Sequence, residues 1–461
     1  MKSNLKLIKN SILVATIDDK NSKVAGGEIL IEGKEIKAVG KNIEKNFRLK
    51  KNTYKIIDAS NCVVIPGFVN VHHHLYQTLN RAIPAVQNAE LFDWIKTLYQ
   101  VWRKINPEWV YASSRVGFAE LLLTGCTTTN DQYYIYPKDQ PKDLLDYEIQ
   151  AAGEIGIRFH PCRGSMSRGE SLGGLPPDDL VQTEDEIMKD CRRVIEKFND
   201  PEKFSMCRVM LAPCSPFSVT TELLKQTTEF ARSIPDAKIH CHTHIAETKD
   251  EEDYCVQTHG VRPVKYMENL CWLGEDVSFA HCIHLNDDEL KLLGATKTGV
   301  AHCPTSNLRL SSGIAPVRDL LDSGARVGLG VDGSASNDSS NMLAELRQCV
   351  LVHRYHSGVT SMPVEDVLRL ATRSGASVLG RDDIGSIEPG KAADIVLFDM
   401  NNVSYAGAMH DPLAALIFCG FSQKAKTVIV DGKIIVDKWH LLTVDEDEIT
   451  NKGNAVAQKL I

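Results

Sequence analysis

Short apolar segments alternate with longer segments of helical periodicity through the middle of the chain. The short segments are rich in Val, Ile and Leu, and a segment such as 108–123 carries apolar residues at helical spacing. Near-continuous apolar strands separated by helices are typical of a parallel sheet that is covered on both faces. The eight predicted strands are 63–71, 127–131, 157–162, 208–214, 238–245, 277–282, 299–303 and 326–331.

Eight strand–helix units across about 270 residues predict an α/β fold, a (β/α)8 TIM-like barrel, which typically takes about 250 residues. A doubly wound sheet is the alternative. That fold is expected to carry a Gly-x-Gly-x-x-Gly turn after its first strand, and the sequence has none there.

The two ends of the chain share a different pattern, in which β-branched residues alternate with polar ones around glycine turns. Residues 24–40 and 425–439 each carry a central turn, Glu-Gly-Lys or Asp-Gly-Lys, as antiparallel hairpins do, and 390–400 adds another strand. These segments predict one small β-sandwich subdomain built from both termini. The predicted division is a barrel at 63–384 and a subdomain at 1–62 and 385–461.

One long loop interrupts the barrel pattern at 163–179, with the sequence RGSMSRGESLGGLPPDD. Its length and glycine content are typical of a mobile lid over a site. A plain surface excursion fits the same composition equally well.

Composition and charge exclude several classes of protein. The chain has 461 residues, of which 43% are hydrophobic, and a net charge of −8 without a basic block, so nucleic-acid binding is not expected. No apolar run reaches the roughly 18 residues that span a bilayer, and the N-terminal apolar run is too short for a signal peptide. Thirteen scattered cysteines without a Cys-x-x-Cys pair indicate reduced thiols and a cytoplasmic location.

The residues that could carry chemistry fall at the ends of the predicted strands, which form the active-site face of a (β/α)8 barrel. The first strand ends in Val71-His72-His73-His74, and strand alternation places His72 and His74 on one face. Two imidazoles that project from one strand end can bind a metal ion together. The alternative is a polar strand end whose histidines form hydrogen bonds within the protein. His73 is expected to be structural.

The fifth strand carries His240, His242 and His244 on one face. Only His244 reaches the mouth of the barrel, and the other two are expected to fill deeper layers. Glu247 follows at the rim, where a carboxylate can move protons to and from a substrate. A solvated loop acid is the alternative for this residue.

The sixth strand ends at His281 and the eighth at Asp332. Each alone has an ordinary structural explanation, as a core histidine or as a turn residue. A buried strand that delivers a lone Asp is costly, however, unless the carboxylate is paired or bound to a metal. Together with the histidines of the first and fifth strands, these residues predict a divalent metal that lowers the pKa of a bound water towards about 7.

On these motifs the chain resembles the amidohydrolase superfamily, within its branch of aromatic-ring deaminases and chlorohydrolases. The matching segments are PGFVNVHHHLYQTLNR, TGCTTTND, HIAET, AHCIHL, AHCPTSNLRLSSGIAP and LGVDGSASNDSSNM. The segments HHHLYQTLNR and GSMSRGESLGGLPPDDLVQTEDEI make it most similar to the 8-oxoguanine deaminases. The resemblance implies an aminohydrolase in which hydroxide attacks an amino-bearing ring carbon and ammonia is lost, with 8-oxoguanine converted to urate.

The resemblance assigns one divalent metal, zinc most often and sometimes iron, to His72, His74, His244 and Asp332. It gives Glu247 the shuttling of protons to the ring nitrogen, and it gives His281 the polarisation of the attacked carbon's surroundings or the stabilisation of the hydroxide. Asp332 doubles as the base that receives the water proton. The resemblance also implies a small heterocyclic substrate and water as partners, and association into a homo-oligomer.

Substrate contacts are expected on the loops at the same face. Gln77 and Arg81 follow the first strand, and both donate hydrogen bonds readily to ring carbonyls, although each has an ordinary surface role as its alternative. Cys214 at the end of the fourth strand is a further lining group. Other candidates are His302, Asn307, and either Tyr133 or Tyr134 as a stacking ring.

Two other kinds of function stay open at this point. Guanine and isoxanthopterin deaminases and triazine amino- or chlorohydrolases use the same ligand set, and only pocket shape and hydrogen-bond partners separate them. A barrel that has lost its metal and serves as a binding or assembly protein is the more distant alternative.

Overall fold

The computed structural model of the protein describes residues 4–50, 53–420 and 423–459. Its centre is a barrel of eight parallel strands, in which each strand pairs with the next along the chain. The predicted (β/α)8 fold is therefore confirmed. The barrel strands are Phe68–Asn70, Cys126–Tyr133, Arg158–Ser165, Met210–Pro213, His240–Ile245, Val277–His281, Gly299–His302 and Arg326–Leu329.

Helices follow these strands and cover the outside of the barrel. Two of them begin with a capping box, formed by Thr183 with Glu186 and by Asn286 with Glu289. No helix within the described ranges is long and apolar enough to span a membrane. The main helices are Leu91–Trp102, Pro107–Leu123, Leu144–Ile155, Glu184–Phe198, Thr221–Ser233, Lys249–His259, Pro263–Asn269, Asp287–Thr296, Pro304–Arg309, Val317–Ser323, Ser334–Asn337, Met342–Ser357, Val364–Arg369 and Gly375–Val378.

Backbone hydrogen bonds close the barrel between its first and eighth strands. The Val71 N–H donates to Leu329 O at 3.1 Å, and the Asp332 N–H donates to His72 O at 3.0 Å. This seam makes neighbours of two strand ends that are far apart in the chain.

The first predicted strand, 63–71, is divided between two sheets. Its first half belongs to Cys62–Pro66, which pairs with Ile395–Asp399 outside the barrel, and its second half joins the barrel. Gly67 lies at the break, where an added Cβ would come within 2.0 Å of Thr127 Oγ1, so only glycine allows this close approach. The hydrophobic pattern does not register the change of sheet, because both halves are buried.

Strands from both ends of the chain form the predicted β-sandwich. A four-stranded and a seven-stranded sheet enclose a layer of Ile, Val and Leu side chains. Both predicted hairpins are present, with Gly33 and Gly432 in the left-handed conformation that their two-residue turns require. The smaller sheet contains Leu5–Lys9, Glu28–Glu32, Glu35–Gly40 and Lys55–Asp58, and the larger contains Leu13–Ala15, Lys23–Ala25, Cys62–Pro66, Ile395–Asp399, Thr427–Val430, Lys433–Asp437 and His440–Leu441. Helices Ile43–Asn46, Pro412–Cys419 and Glu446–Gln458 complete these regions.

A buried ion pair joins the sandwich to the barrel. Arg158 at the start of the third barrel strand donates from Nε and Nη2 to the two carboxylate oxygens of Asp394, at 3.0 and 3.1 Å. Its Nη1 donates to the backbone carbonyls of Phe204 and Ser205. Since Arg158 is fully buried, removal of Asp394 takes away its paired carboxylate and leaves the more distant Asp431 Oδ1, 3.8 Å from Nη2.

We expect Asp394→Ala to lower the free energy of unfolding by about 3–5 kcal/mol, because the buried Arg158 guanidinium loses both hydrogen bonds to its carboxylate and keeps only the more distant charge of Asp431. Urea denaturation of the purified protein measures this change. Glu448→Ala is the control: it removes an exposed ion pair with Arg115, and we expect a loss below about 1 kcal/mol. Equal losses in the two variants would contradict the role given to the buried pair.

Candidate functional site

Four side chains at the mouth of the barrel converge on one point. His74 Nε2 lies 3.1 Å from His244 Nε2, and Asp332 Oδ1 lies 3.4 Å from the Nε2 atoms of both His72 and His74. All four side chains are buried. Ligand atoms around a tetrahedral zinc ion are separated by about 3.3 Å at bond lengths of about 2.0–2.1 Å, so this spacing fits one small divalent metal.

Hydrogen bonds to backbone carbonyls fix the tautomers of His74 and His244. His74 Nδ1 lies 2.9 Å from Gln132 O, and His244 Nδ1 lies 2.7 Å from Cys214 O. Because a carbonyl oxygen only accepts, each Nδ1 carries the proton and each neutral ring presents a lone pair at Nε2. Two lone pairs that face each other at 3.1 Å repel unless a cation lies between them, which is the arrangement of metal ligands.

Burial sets the charge state of this group. It lowers the pKa of His74 to about 3 and the pKa of His244 well below its usual value, so both imidazoles are neutral. Burial alone would raise the pKa of Asp332, but the adjacent imidazoles, that of His72 first, hold it well below its usual value. Neutral imidazoles with one carboxylate form a donor set that suits zinc or iron.

His72 is oriented from below by buried polar groups. Its Nδ1 lies 2.8 Å from His242 Nε2, and His242 Nδ1 lies 2.8 Å from Ser278 Oγ. Its Nε2 is buried and makes no well-aligned hydrogen bond within the described residues, so it is available to a metal. The sequence assigned His242 to a deeper layer of the barrel, and from that layer it holds His72 in place.

Glu247 and His281 lie beside the same point. His281 Nε2 is 3.6 Å from Glu247 Oε2 and 3.9 Å from Asp332 Oδ2, and its Nδ1 lies 2.9 Å from Asn307 Oδ1. Burial raises the pKa of Glu247 to about 7, an effect that the nearby His281 only partly offsets. Burial alone would lower the pKa of His281, but the carboxylates of Glu247 and Asp332 outweigh it and raise that pKa. A carboxyl group and an imidazole so arranged can exchange a proton near neutral pH.

Glu251, which sequence reasoning missed, positions the loop that carries Glu247. Its buried carboxylate accepts hydrogen bonds from the backbone N–H groups of Ala246 at 2.8 Å and Glu247 at 2.9 Å. Ala246 has a φ of +55°, a conformation that a non-glycine residue keeps only where its surroundings hold it. The sequence signal was the Thr248-x-x-Glu251 spacing, which usually marks a helix cap and here also supports the preceding turn.

Some of the predicted substrate contacts line the cavity above these residues, and others do not. Gln77 and Cys214 lie in its wall, whereas Arg81 lies outside the wall in an ion pair with Glu120. Burial raises the pKa of the Cys214 thiol to about 12, which makes it a neutral wall group. The wall also contains Trp94, Tyr134, Ser215, Phe217, Leu310 and Ser336.

The remaining candidates lie in different surroundings. Tyr134 lies in the wall, whereas Tyr133 packs edge-to-face against other tyrosines. His73 is buried with its Nε2 3.0 Å from Ser340 Oγ, which suits the structural role expected of it. His302 lies outside the cavity, on the helix side of its strand.

Two aromatic residues of the wall, Trp94 and Phe217, were not predicted from the sequence. Trp94 belongs to the apolar face of the helix Leu91–Trp102, which also supplies Leu91 and Ile95 to the wall. Phe217 lies in a short turn, and its backbone carbonyl accepts a hydrogen bond from the Leu175 N–H in the 163–179 loop. Apolar periodicity treats such residues as core, because it does not record which of them face a cavity.

Comparison with known proteins places this geometry among related enzymes. The sequence profile of the Amidohydrolase family matches residues 63–435. The chain is 42% identical to an 8-oxoguanine deaminase from Pseudomonas aeruginosa, over 98% of each chain, and 31% identical to an isoxanthopterin deaminase from an unknown prokaryotic organism, over 99% of this chain and 97% of that one. The fold matches an atrazine chlorohydrolase from Arthrobacter aurescens TC1 complexed with zinc, with a TM-score of 0.92 and 32% identity over 98% of this chain and 100% of that one. These matches confirm the resemblance drawn from the sequence.

We expect His242→Phe to weaken metal binding by about 10- to 100-fold, because the ring then fills its layer without holding His72 Nδ1. Retention of metal against a graded chelator measures the change. His240→Phe is the matched control, since it alters the same face of the same strand at a deeper position. Equal retention in the wild type and His242→Phe would show that His72 needs no such support.

Proposed function

The chain belongs to the amidohydrolase family and is a hydrolase acting on C–N bonds, and we propose that it is a metal-dependent deaminase converting 8-oxoguanine and water to urate and ammonia. The observation that carries the proposal is the pair Glu247 and His281, which lies beside a convergent set of neutral imidazoles and one carboxylate. The 8-oxoguanine deaminase that is 42% identical over 98% of both chains supports the choice of substrate.

We assign the metal to His72, His74, His244 and Asp332. A divalent metal bound there, zinc by preference, supplies Lewis acidity and lowers the pKa of a water towards about 7. The protein's part is to hold the four donor atoms within 3.1–3.4 Å contacts and to keep the imidazoles neutral by burial.

Deamination adds water to the ring carbon that bears the amino group, so that its oxygen becomes the new carbonyl oxygen. One water proton goes to the amino nitrogen, which leaves as ammonia when the exocyclic C–N bond breaks, and the other goes to the adjacent ring nitrogen. Glu247 suits the transfer of protons to the ring nitrogen and the leaving group, because a carboxyl group with a pKa of about 7 exists in both protonation states at neutral pH. We assign Asp332 as the base that receives the water proton, with His281 Nε2 3.9 Å from its Oδ2.

The cavity wall suits a flat, polar ring. Gln77 Oε1 is a buried acceptor without a hydrogen-bond partner within the described residues, and an oxidised purine offers ring N–H donors to such an atom. Trp94, Phe217 and Tyr134 supply the apolar surface. Arg81, already paired with Glu120, is left out of this set.

We place the activity in a reducing compartment, the cytoplasm. All thirteen cysteines are free thiols, and most are buried. A thiol whose pKa burial raises, as at Cys214 and Cys191, is a poor nucleophile and is slow to oxidise. Association into a homo-oligomer stays a prediction from the family resemblance.

Ammonia release from a panel of rings tests the proposed substrate. The zinc-loaded protein is assayed with 8-oxoguanine, guanine, isoxanthopterin, cytosine and a hydroxylated triazine, before and after chelation. We expect release that is highest with 8-oxoguanine and that chelation abolishes. A strong preference for isoxanthopterin or a triazine would support a deaminase but contradict 8-oxoguanine as its substrate. Ammonia release that resists chelation would contradict the metal mechanism.

We expect Glu247→Gln to lower turnover at least about 100-fold while metal content stays at the wild-type level, because the amide keeps the size of the side chain but moves no proton. Initial rates of ammonia release and metal analysis check both halves of the prediction. Glu252→Gln, a half-buried carboxylate on the following helix that pairs with Arg262 away from the cavity, serves as the control and should retain activity. Near-normal turnover in Glu247→Gln would refute the assigned role.

A further inference from the structure

A second cluster of metal-binding side chains lies outside the catalytic cavity. His302 ends the seventh barrel strand, and Cys349 and His353 lie one turn apart on the helix Met342–Ser357. One potential ligand atom from each residue lies within 4.8 Å of the others. All three side chains are buried, with exposed fractions of 1%, 0% and 2%.

Strand alternation separates this cluster from the catalytic site. Ala280 and Ala301 are paired neighbours in the sixth and seventh strands, and both belong to the same apolar cluster as Val69 of the first strand. Because successive side chains of a strand alternate between its two faces, the next residues, His281 and His302, are expected to point outward. His302 does so and meets the helix, whereas His281 has a φ of +72° and turns back to the barrel mouth. The two sites share no ligand.

Within the described residues, the ring nitrogens of this cluster do not all have hydrogen-bond partners. His302 Nε2 lies 3.0 Å from His353 Nε2, so one proton at most is shared between the two rings. His302 Nδ1 is buried and has no hydrogen-bond partner within the described part of the chain. Burial lowers the pKa of His353 to about 4 and that of His302 well below its usual value, so both rings are neutral nitrogen donors.

We propose that His302, Cys349 and His353 form a second metal site, with two nitrogen ligands and one sulfur ligand for zinc, on the outer face of the barrel. Two imidazoles and one thiolate are ligands that zinc prefers, and a water completes four-coordination. Binding replaces the S–H bond of Cys349 with a Zn–S bond and releases one proton to solvent, because the thiolate is the ligand.

The position of the cluster indicates a bracing role. The helix Met342–Ser357 follows the loop that leaves Asp332, and Glu345 on that helix accepts hydrogen bonds from Asn337 and Thr305. A metal that ties this helix to His302 would join the seventh strand to the segment after the eighth. The inference is independent of the substrate proposed above.

The test uses the full-length protein, loaded with zinc and dialysed. We expect two zinc ions per chain in the wild type, and one in Cys349→Ala and in His353→Gln. Cys191→Ala, which truncates another buried helical cysteine on the barrel, should keep two. Zinc X-ray absorption should contain a Zn–S path near about 2.3 Å that Cys349→Ala loses and Cys191→Ala retains.

Circular dichroism shows whether the variants fold. If they do not, the zinc content and the X-ray absorption of the wild type alone test the proposed site. One zinc per chain without a Zn–S path in the wild type would overturn the proposal and leave the imidazoles as a hydrogen-bonded pair. Two zinc ions, or an unchanged Zn–S path, in folded Cys349→Ala would overturn it as well.

Discussion

The candidate site depends on the closure of the barrel between its first and eighth strands. The backbone bonds from Val71 to Leu329 and from Asp332 to His72 join the two edges of what would otherwise be an open sheet. In an open sheet, the histidines of the first strand and the aspartate of the eighth would lie at opposite edges. Once the seam forms, the Asp332 carboxylate lies 3.4 Å from two imidazoles, and every other feature of the site is arranged around that contact.

Closure also creates an electrostatic cost that the surrounding groups must balance. Burial lowers the pKa of His74 and His244, while the neighbouring imidazoles hold the pKa of Asp332 well below its usual value, so an ionised carboxylate lies among neutral rings in a place shielded from water. A buried charge is costly unless it is paired, and Asp332 accepts hydrogen bonds from the Gly333 N–H and Ser336 Oγ beside its contacts with the imidazoles. The same desolvation raises the pKa of Glu247 to about 7, so one physical cause acts on both the candidate metal ligands and the candidate proton-transfer group.

Local patterns in the sequence were sufficient for the fold and for the residues that converge at the barrel mouth. Val/Ile/Leu-rich segments predicted eight parallel strands, and the rule that strand ends meet at one face predicted which polar residues approach each other. Patterns of this kind carry no information on long-range packing. The change of sheet at Gly67 depends on contact with Thr127, and the exclusion of Arg81 from the cavity depends on Glu120. Glu251 resembled an ordinary helix cap, because a side chain that supports a turn uses the same spacing as one that caps a helix.

At the two histidine clusters, strand alternation alone does not predict the direction in which a side chain points. His281 and His302 follow paired alanines in neighbouring strands, and alternation gives both the same outward direction. The left-handed backbone at His281 reverses its direction, and that conformation is held by the turn around it, where Cys282 N–H donates to Ile245 O at 3.0 Å. His302 keeps ordinary backbone geometry and so meets the outer helix. The local backbone conformation, left-handed at both His281 and Cys282, thus accompanies the difference in direction between the two histidines, and residue type and spacing alone do not encode it.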